Sequence, residues 1–157
     1  NVSVKWPNDV YVDGRKVCGI LVELVSINSD DSAVVIGVGL NYRLTNNYID
    51  WIDKPSTDLV RQGIQKSRSQ VLRRLVEGLC EDFRRFMDNG FSVFREDFNR
   101  IHWLAGRLVE ISHGAGKVTS GIVSGVNDEG ELLLKEGDGE VPIISGEISF
   151  IGMQKGT

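Results

Sequence analysis

The stretch Val10–Ser26, VYVDGRKVCGILVELVS, decides the fold. Val10, Tyr11 and Val12 run as a strand into Asp13-Gly14, a pair that tolerates positive φ at both residues and so closes a tight hairpin. Lys16 to Ser26 continues as a long apolar strand, Asn28-Ser29-Asp30-Asp31 supplies the next turn, and Ala33 to Asn41 (AVVIGVGLN) returns. Val2 to Lys5 reads as one more strand upstream. Turns this short join antiparallel neighbours. Apolar residues continue on both faces of the Lys16–Ser26 and Ala33–Asn41 strands, which predicts burial on both sides, under helices.

Downstream the pattern loosens. Tyr42 to Lys66 reads as an ordered functional loop around Tyr48, Ile49, Trp51 and Ile52, with a short helix over Thr57 to Gly63. Ser69 to Asn89 carries Val71, Leu72, Leu75, Val76, Leu79, Phe83, Phe86 and Met87 at helical spacing, with Cys80 in the helix core. Ser69 is placed to cap its start and Gly90 to end it in a left-handed conformation. A shorter helix, Phe91 to Arg100, turns Phe94 and Phe98 inward. After Trp103 glycine becomes frequent, and five β-like runs follow: Arg107–Ser112, Lys117–Val126, Glu131–Lys135, Glu140–Ile144 and Glu147–Ile151. The fold class expected is α+β. Residues 1–103 form a truncated mixed or antiparallel sheet with packing helices, and residues 104–157 form a small barrel.

Composition narrows the function classes. The chain has 157 residues, 41% hydrophobic and 25% charged, with a net charge of −4. Basic residues between Arg61 and Arg107 are interleaved with Glu77, Glu81, Asp82, Asp88, Glu96 and Asp97, so no basic face points to nucleic acid. The two cysteines, Cys18 and Cys80, make neither a disulfide framework nor a zinc site, and a reducing cytoplasmic setting is expected. No apolar run has the length of a membrane span. Strand-like sequence begins at Asn1 without Met, which suggests a fragment with an uncovered strand edge that self-associates as a homo-oligomer.

Lys5-Trp6-Pro7-Asn8-Asp9, then Gly14-Arg15-Lys16-Val17-Cys18-Gly19-Ile20-Leu21-Val22-Glu23, resembles the central motif pair of biotin protein ligases. Ile36-Gly37-Val38-Gly39-Leu40-Asn41 looks like the family's next strand, and Gly146-Glu147-Ile148-Ser149 agrees near the end. The resemblance implies a class II synthetase-like sheet, being the carboxy-terminal part of the catalytic domain, followed by an SH3-like terminal domain. It implies joining of biotin to ATP, with Mg2+, as biotinyl-5′-adenylate. It also implies transfer of biotin to one lysine of a biotin carboxyl carrier protein. The family's Gly/Arg-rich loop belongs upstream of KWPND and is not in this sequence. Two other classes remain open: a lipoate ligase or octanoyltransferase relative, and a non-catalytic carrier-binding module.

Physical chemistry gives each matched residue a role. Joining a carboxylate to an α-phosphate needs positive charge beside two repelling anions, and Lys16 in an apolar strand is the candidate cation. Asp9 is placed to orient the carrier lysine and take its proton, and Asn8 to offer a donor and an acceptor; Pro-Asn-Asp is also ordinary turn chemistry. Gly19 and Leu21 share one face, and Gly37 and Gly39 repeat the spacing on the facing strand, so they are expected to leave a slot for biotin's fused rings. Cys18 should point to the opposite face as packing. Asn41, Trp51 and Glu147 are the candidate nucleotide contacts, although Ile151 stands where some relatives carry Arg. His102 and His113 have no partners at ligand spacing, so no protein-held metal is expected.

Overall fold

The computed structural model describes residues 1–28, 31–45, 55–113, 118–137 and 139–150. They divide into two compact units, Asn1–Leu75 and Val76–Thr157. The first holds an antiparallel sheet in the order β1 (Val2–Lys5), β2 (Asp9–Val12), β3 (Arg15–Ser26), β4 (Ser32–Leu40). Asp13 and Gly14 both take positive φ, 48° and 73°, as the Asp-Gly hairpin requires.

Burial in this sheet is uneven. Trp6, Tyr11, Val17 and Cys18 are buried around the β2–β3 hairpin. Further along the same sheet Leu21, Val22, Leu24, Val25, Val34 and Val35 are exposed, Leu24 at 74%. The expected burial on both faces is therefore corrected: pairing between β3 and β4 satisfies the backbone, but no described element covers the side chains of this hairpin end. Residues 59–63 form turns, with Gln62 N donating to Asp58 O, Gly63 N to Val60 O and Ile64 N to Leu59 O, rather than the expected short helix over Thr57 to Gly63.

Helix α1 spans Arg68–Asn89. Its cap is Ser67, two residues before the expected one. Gln70 N donates to Ser67 Oγ at 3.3 Å while Ser67 N donates to Gln70 Oε1 at 2.9 Å, a reciprocal box that Ser69 has no partner to make. Gly90 does end the helix, with φ of 70°. No residue of α1 is buried; Cys80 is exposed and is not helix core.

The second unit makes its own core. Helix α2 (Ser92–Arg100) precedes β5 (Leu108–Ser112), β6 (Val118–Val126), β7 (Leu132–Glu136), β8 (Gly139–Ile143) and β9 (Glu147–Phe150). Alternate residues Val109 and Ile111, then Leu132 and Leu134, are at most 1% exposed, and Val123, Val126, Ile143 and Leu104 join them. Asn99 ties α2 to the end of β6: its Oδ1 accepts from Val126 N at 2.8 Å and its Nδ2 donates to Val126 O at 3.2 Å. Glycine is favoured at the adjoining position, because Gly125 has φ of 150° and a Cβ there would fall 2.8 Å from Asn99 Oδ1. The strand order β8-β7-β6-β5-β9 leaves β8 and β9 as edges, so the expected barrel is an open antiparallel sheet among the described residues.

Candidate functional site

The site grows from an irregularity in β3. Across β2, Asp9 faces Gly19 and Val10 faces Cys18, but Tyr11 faces Lys16, so Val17 is an extra residue on β3. Strict alternation would put Lys16 on the face of Cys18 and away from Gly19. The bulge shifts the parity, and Lys16 joins Asp9 and Gly19 on one face. Its Nζ lies 2.5 Å from Asp9 Oδ1, with the lysine side chain 34% exposed and the aspartate 18%.

Glycine is what makes room there. A Cβ on Gly19 would stand 3.1 Å from Lys16 Nζ and 3.3 Å from Asp9 Oδ1. Gly39 faces Gly19 across β3 and β4, and Gly37 faces Leu21. The result is a cleft of about 450 Å³ lined by Asn8, Asp9, Lys16, Gly19, Ile20, Leu21, Gly37, Val38 and Gly39. All three residues expected to be catalytic and all five expected to meet biotin therefore line one cavity. Asn8 is also structural: its Nδ2 donates to Ile20 O at 2.6 Å, and Ile20 N donates to Asn8 O at 2.9 Å.

The expected nucleotide contacts are not gathered in the same way. Asn41 is half-buried outside the cleft lining, and its Nδ2 donates to Thr57 O at 3.0 Å. Glu147 is exposed at the start of β9 in the second unit. Trp51 and Ile151 lie outside the described residues.

Electrostatics separate working groups from packing. Burial pushes the Cys18 thiol up, Lys16 pulls it down and Asp9 adds to the rise, which leaves a buried thiol rather than a thiolate nucleophile. Burial, then the Asp9 charge, raises the Tyr11 phenol as well. In the second unit His102 is 6% exposed, its ring nitrogens have no hydrogen-bond partner among the described residues, and burial holds its pKa down to about 4.

One cluster beside the site went unread in the sequence. Asp58 is 1% exposed and accepts from Arg61 N at 2.8 Å, from Leu44 N at 3.1 Å and from the Arg61 guanidinium. Burial would raise this carboxyl, but the bonds from Arg61 and Leu44 outweigh it and hold its pKa below the usual value. Its signal, Asp58 followed three residues later by Arg61, looks like any surface turn.

An antiparallel sheet whose bulge brings a lysine and a carboxylate together above a glycine floor offers a cation and a carboxylate to a ligand on that face. Residues 1–41 match the biotin/lipoate A/B protein ligase family, and residues 106–151 match the biotin protein ligase C terminal domain. These segments together make up more than half of the chain. The bifunctional ligase/repressor BirA of Salmonella typhimurium is 34% identical over 95% of this chain and 46% of its own length. The biotin–[acetyl-CoA-carboxylase] ligase of Mycobacterium tuberculosis is 28% identical over 93% of this chain and 52% of its own. Among solved structures, the apo biotin protein ligase of Aquifex aeolicus superposes with a TM-score of 0.79 at 28% identity, covering 96% of this chain and 65% of that one. The same enzyme in complex with biotin and ATP gives 0.74 at 27% identity, covering 94% and 61%. This chain belongs to the biotin protein ligase family, and it spans about half the length of the curated relatives it matches.

Proposed function

We propose that the cleft on β2, β3 and β4 is the acyl half of a biotin-activating site in an ATP-dependent biotin–[acetyl-CoA-carboxylase] ligase. The single observation that carries this reading is the Lys16–Asp9 pair standing over Gly19. Biotin's fused rings would lie over Gly19, Gly37 and Gly39 against Leu21, with the carboxylate towards Lys16. As carboxylate oxygen attacks the α-phosphate of ATP, pyrophosphate leaves and biotinyl-5′-adenylate forms. Lys16 offsets the negative charge of both reactants and of the transition state. Nζ drawn towards these anions releases Asp9, which can then take the proton from a carrier lysine attacking the acyl carbon, with AMP as leaving group. Asn8 fixes the turn that presents Asp9.

The remaining parts belong to the same proposal. Asn41, Trp51 and Glu147 are assigned to the nucleotide half, on the resemblance alone. Residues 1–103 are read as the end of a class II synthetase-like catalytic domain. Residues 104–157 are read as an SH3-like terminal domain, supported by β9 returning beside β5. Magnesium would come with ATP, held through the nucleotide's phosphates rather than by a protein cluster, since among the described residues no three His, Cys, Asp or Glu side chains gather to hold a metal. Asp9, the carboxylate in the cleft, is taken by Lys16. No described helix is long and apolar enough to cross a membrane. The exposed hairpin end of β3 and β4 supports a homo-oligomer, whose mass light scattering would measure; a cytoplasmic setting belongs to the same reading.

The test is pyrophosphate release by the full-length chain, which should require biotin and ATP together, followed by transfer of labelled biotin to a carrier domain. Lipoate in place of biotin should give no adenylate. Turnover with lipoate but not biotin would favour the lipoyl relatives. Binding of the carrier without pyrophosphate release would favour a non-catalytic module.

A further inference from the structure

Lys16 sits beside a break in the pairing of β3. The register between β3 and β4 ends at Cys18 facing Leu40, with Asn41 N donating to Val17 O just beyond it. On its other side, the bulge at Val17 interrupts the ladder to β2, which resumes with Tyr11 facing Lys16, while the backbone N–H and C=O of Lys16 turn to the segment 55–57. A strand slipped by one residue sends every side chain to the opposite face, and the extra residue of the bulge is what sets the face Lys16 takes. Something must hold Lys16 in the register that keeps its ammonium on Asp9.

The segment 55–58 does so. Lys16 N donates to Pro55 O at 2.9 Å and Thr57 N donates to Lys16 O at 2.9 Å, which makes a parallel bridge between Lys16 and Ser56. Asn41 Nδ2 reaches both Thr57 O, at 3.0 Å, and Lys16 O, at 3.5 Å. The next residue is Asp58, whose buried carboxylate captures Leu44 N, Arg61 N and the Arg61 guanidinium, while Arg61 also donates to Leu44 O at 3.0 Å. Gln62 Nε2 adds a bond to Thr57 Oγ1 at 2.9 Å. Asp58 and Arg61 thus bind both polar groups of Leu44, as a paired strand would. Leu44 follows β4 in the chain and Thr57 borders Lys16, so the clamp ties the outflow of β4 to the edge of the bulge.

We infer that Asp58, with Arg61, is a positioning residue for Lys16: it fixes the 55–57 segment against the bulge of β3 and so holds the ammonium on the Asp9 and Gly19 face. Asp58 is not itself in the cleft. The inference about catalysis rests on the function proposed above, whereas the inference about backbone position does not.

Amide exchange followed by NMR separates the two. In the full-length chain carrying Asp58→Ala, the Lys16 and Thr57 amides should exchange at least about tenfold faster, the size of effect expected from local rather than global opening. The Ile20 amide, bonded to Asn8 O on the same strand, should keep its protection. Arg61→Met removes the guanidinium alone and should give the same pattern more weakly, which guards against a variant that fails to fold. Unchanged protection at Lys16, or equal loss at Lys16 and Ile20, would overturn the inference. In pyrophosphate release the folded variants should lose kcat on the order of 10- to 100-fold, the penalty of a misplaced reacting group, with KM for ATP nearly unchanged. Full kcat in a folded Asp58→Ala chain would also overturn it. A wild-type chain without pyrophosphate release would instead refute the proposed function, and the exchange pattern would still decide the positioning role.

Discussion

The two sheets are built alike and finished differently. Both are antiparallel strands joined by short turns, yet the second buries a core that includes Val109, Ile111, Val123, Leu132 and Leu134. The first buries side chains only near the β2–β3 hairpin and leaves Leu21, Val22, Leu24, Val34 and Val35 in solvent. Stability should therefore concentrate in the second unit. The cleft of the first depends on local devices: a bulge, an ion pair, and the amide and carboxylate of Asn41 and Asp58. A sheet that packs itself tolerates little change in volume, and a sheet that presents a site tolerates little change in register.

Substitutions can break that contrast. The largest effect on activity is expected from Lys16→Ala in the full-length chain, which should cost about 2–4 kcal/mol of transition-state stabilisation in adenylate formation. Pyrophosphate release by the folded variant checks it, and its melting temperature should move little because the lysine is part-exposed. Leu132→Ala should act the other way round. It empties a fully buried position in the second unit and should cost about 2–5 kcal/mol in urea unfolding of that unit. The cleft should survive it.

Acid sharpens the comparison further. The His102 pKa is lowered by burial to about 4 in the folded chain, against 6.5 for the free side chain. The unfolded state then binds more protons between these values, so stability of the second unit falls as pH drops from about 6.5 towards 4 and is full above that window. The loss at the acid end is on the order of 3 kcal/mol. His102→Leu should abolish the slope in urea titrations at pH 4.5 and 7.5, leaving stability at pH 7.5 equal or higher because no orphaned nitrogen is buried. The smallest effect is expected on the bare hairpin. Leu24→Lys should change unfolding free energy by no more than about 0.5 kcal/mol, as surface substitutions do. It should also shift light-scattering mass towards the monomer.

Much of this was legible in the sequence, for identifiable reasons. Strand alternation and the Asp13-Gly14 turn set β2, β3 and β4, and the paired glycines, which could also have marked bulges, pointed to the face where the cleft lies. The bulge at Val17 left no mark, since it inserts an ordinary apolar residue into an apolar run. Exposure of the β3–β4 hairpin was misread because an apolar face reports that it is covered in some state, not that this chain covers it. The α1 cap was misplaced by two residues because Ser67 and Ser69 look equally suitable until Gln70 is paired with one of them. Asp58 and Arg61 escaped because their value lies in reaching Leu44, distant in sequence and adjacent in space.

The central claim is that the face carrying Lys16, Asp9, Gly19 and Gly39 receives biotin and its adenylate. A crystal structure of the full-length chain with a non-hydrolysable biotinyl-adenylate analogue tests it most directly. The predicted result has the fused rings over Gly19 and Gly39, and Lys16 Nζ moved from Asp9 onto the linking phosphate or acyl oxygen. An analogue bound elsewhere, with the Lys16–Asp9 pair intact and the glycine floor empty, would contradict it.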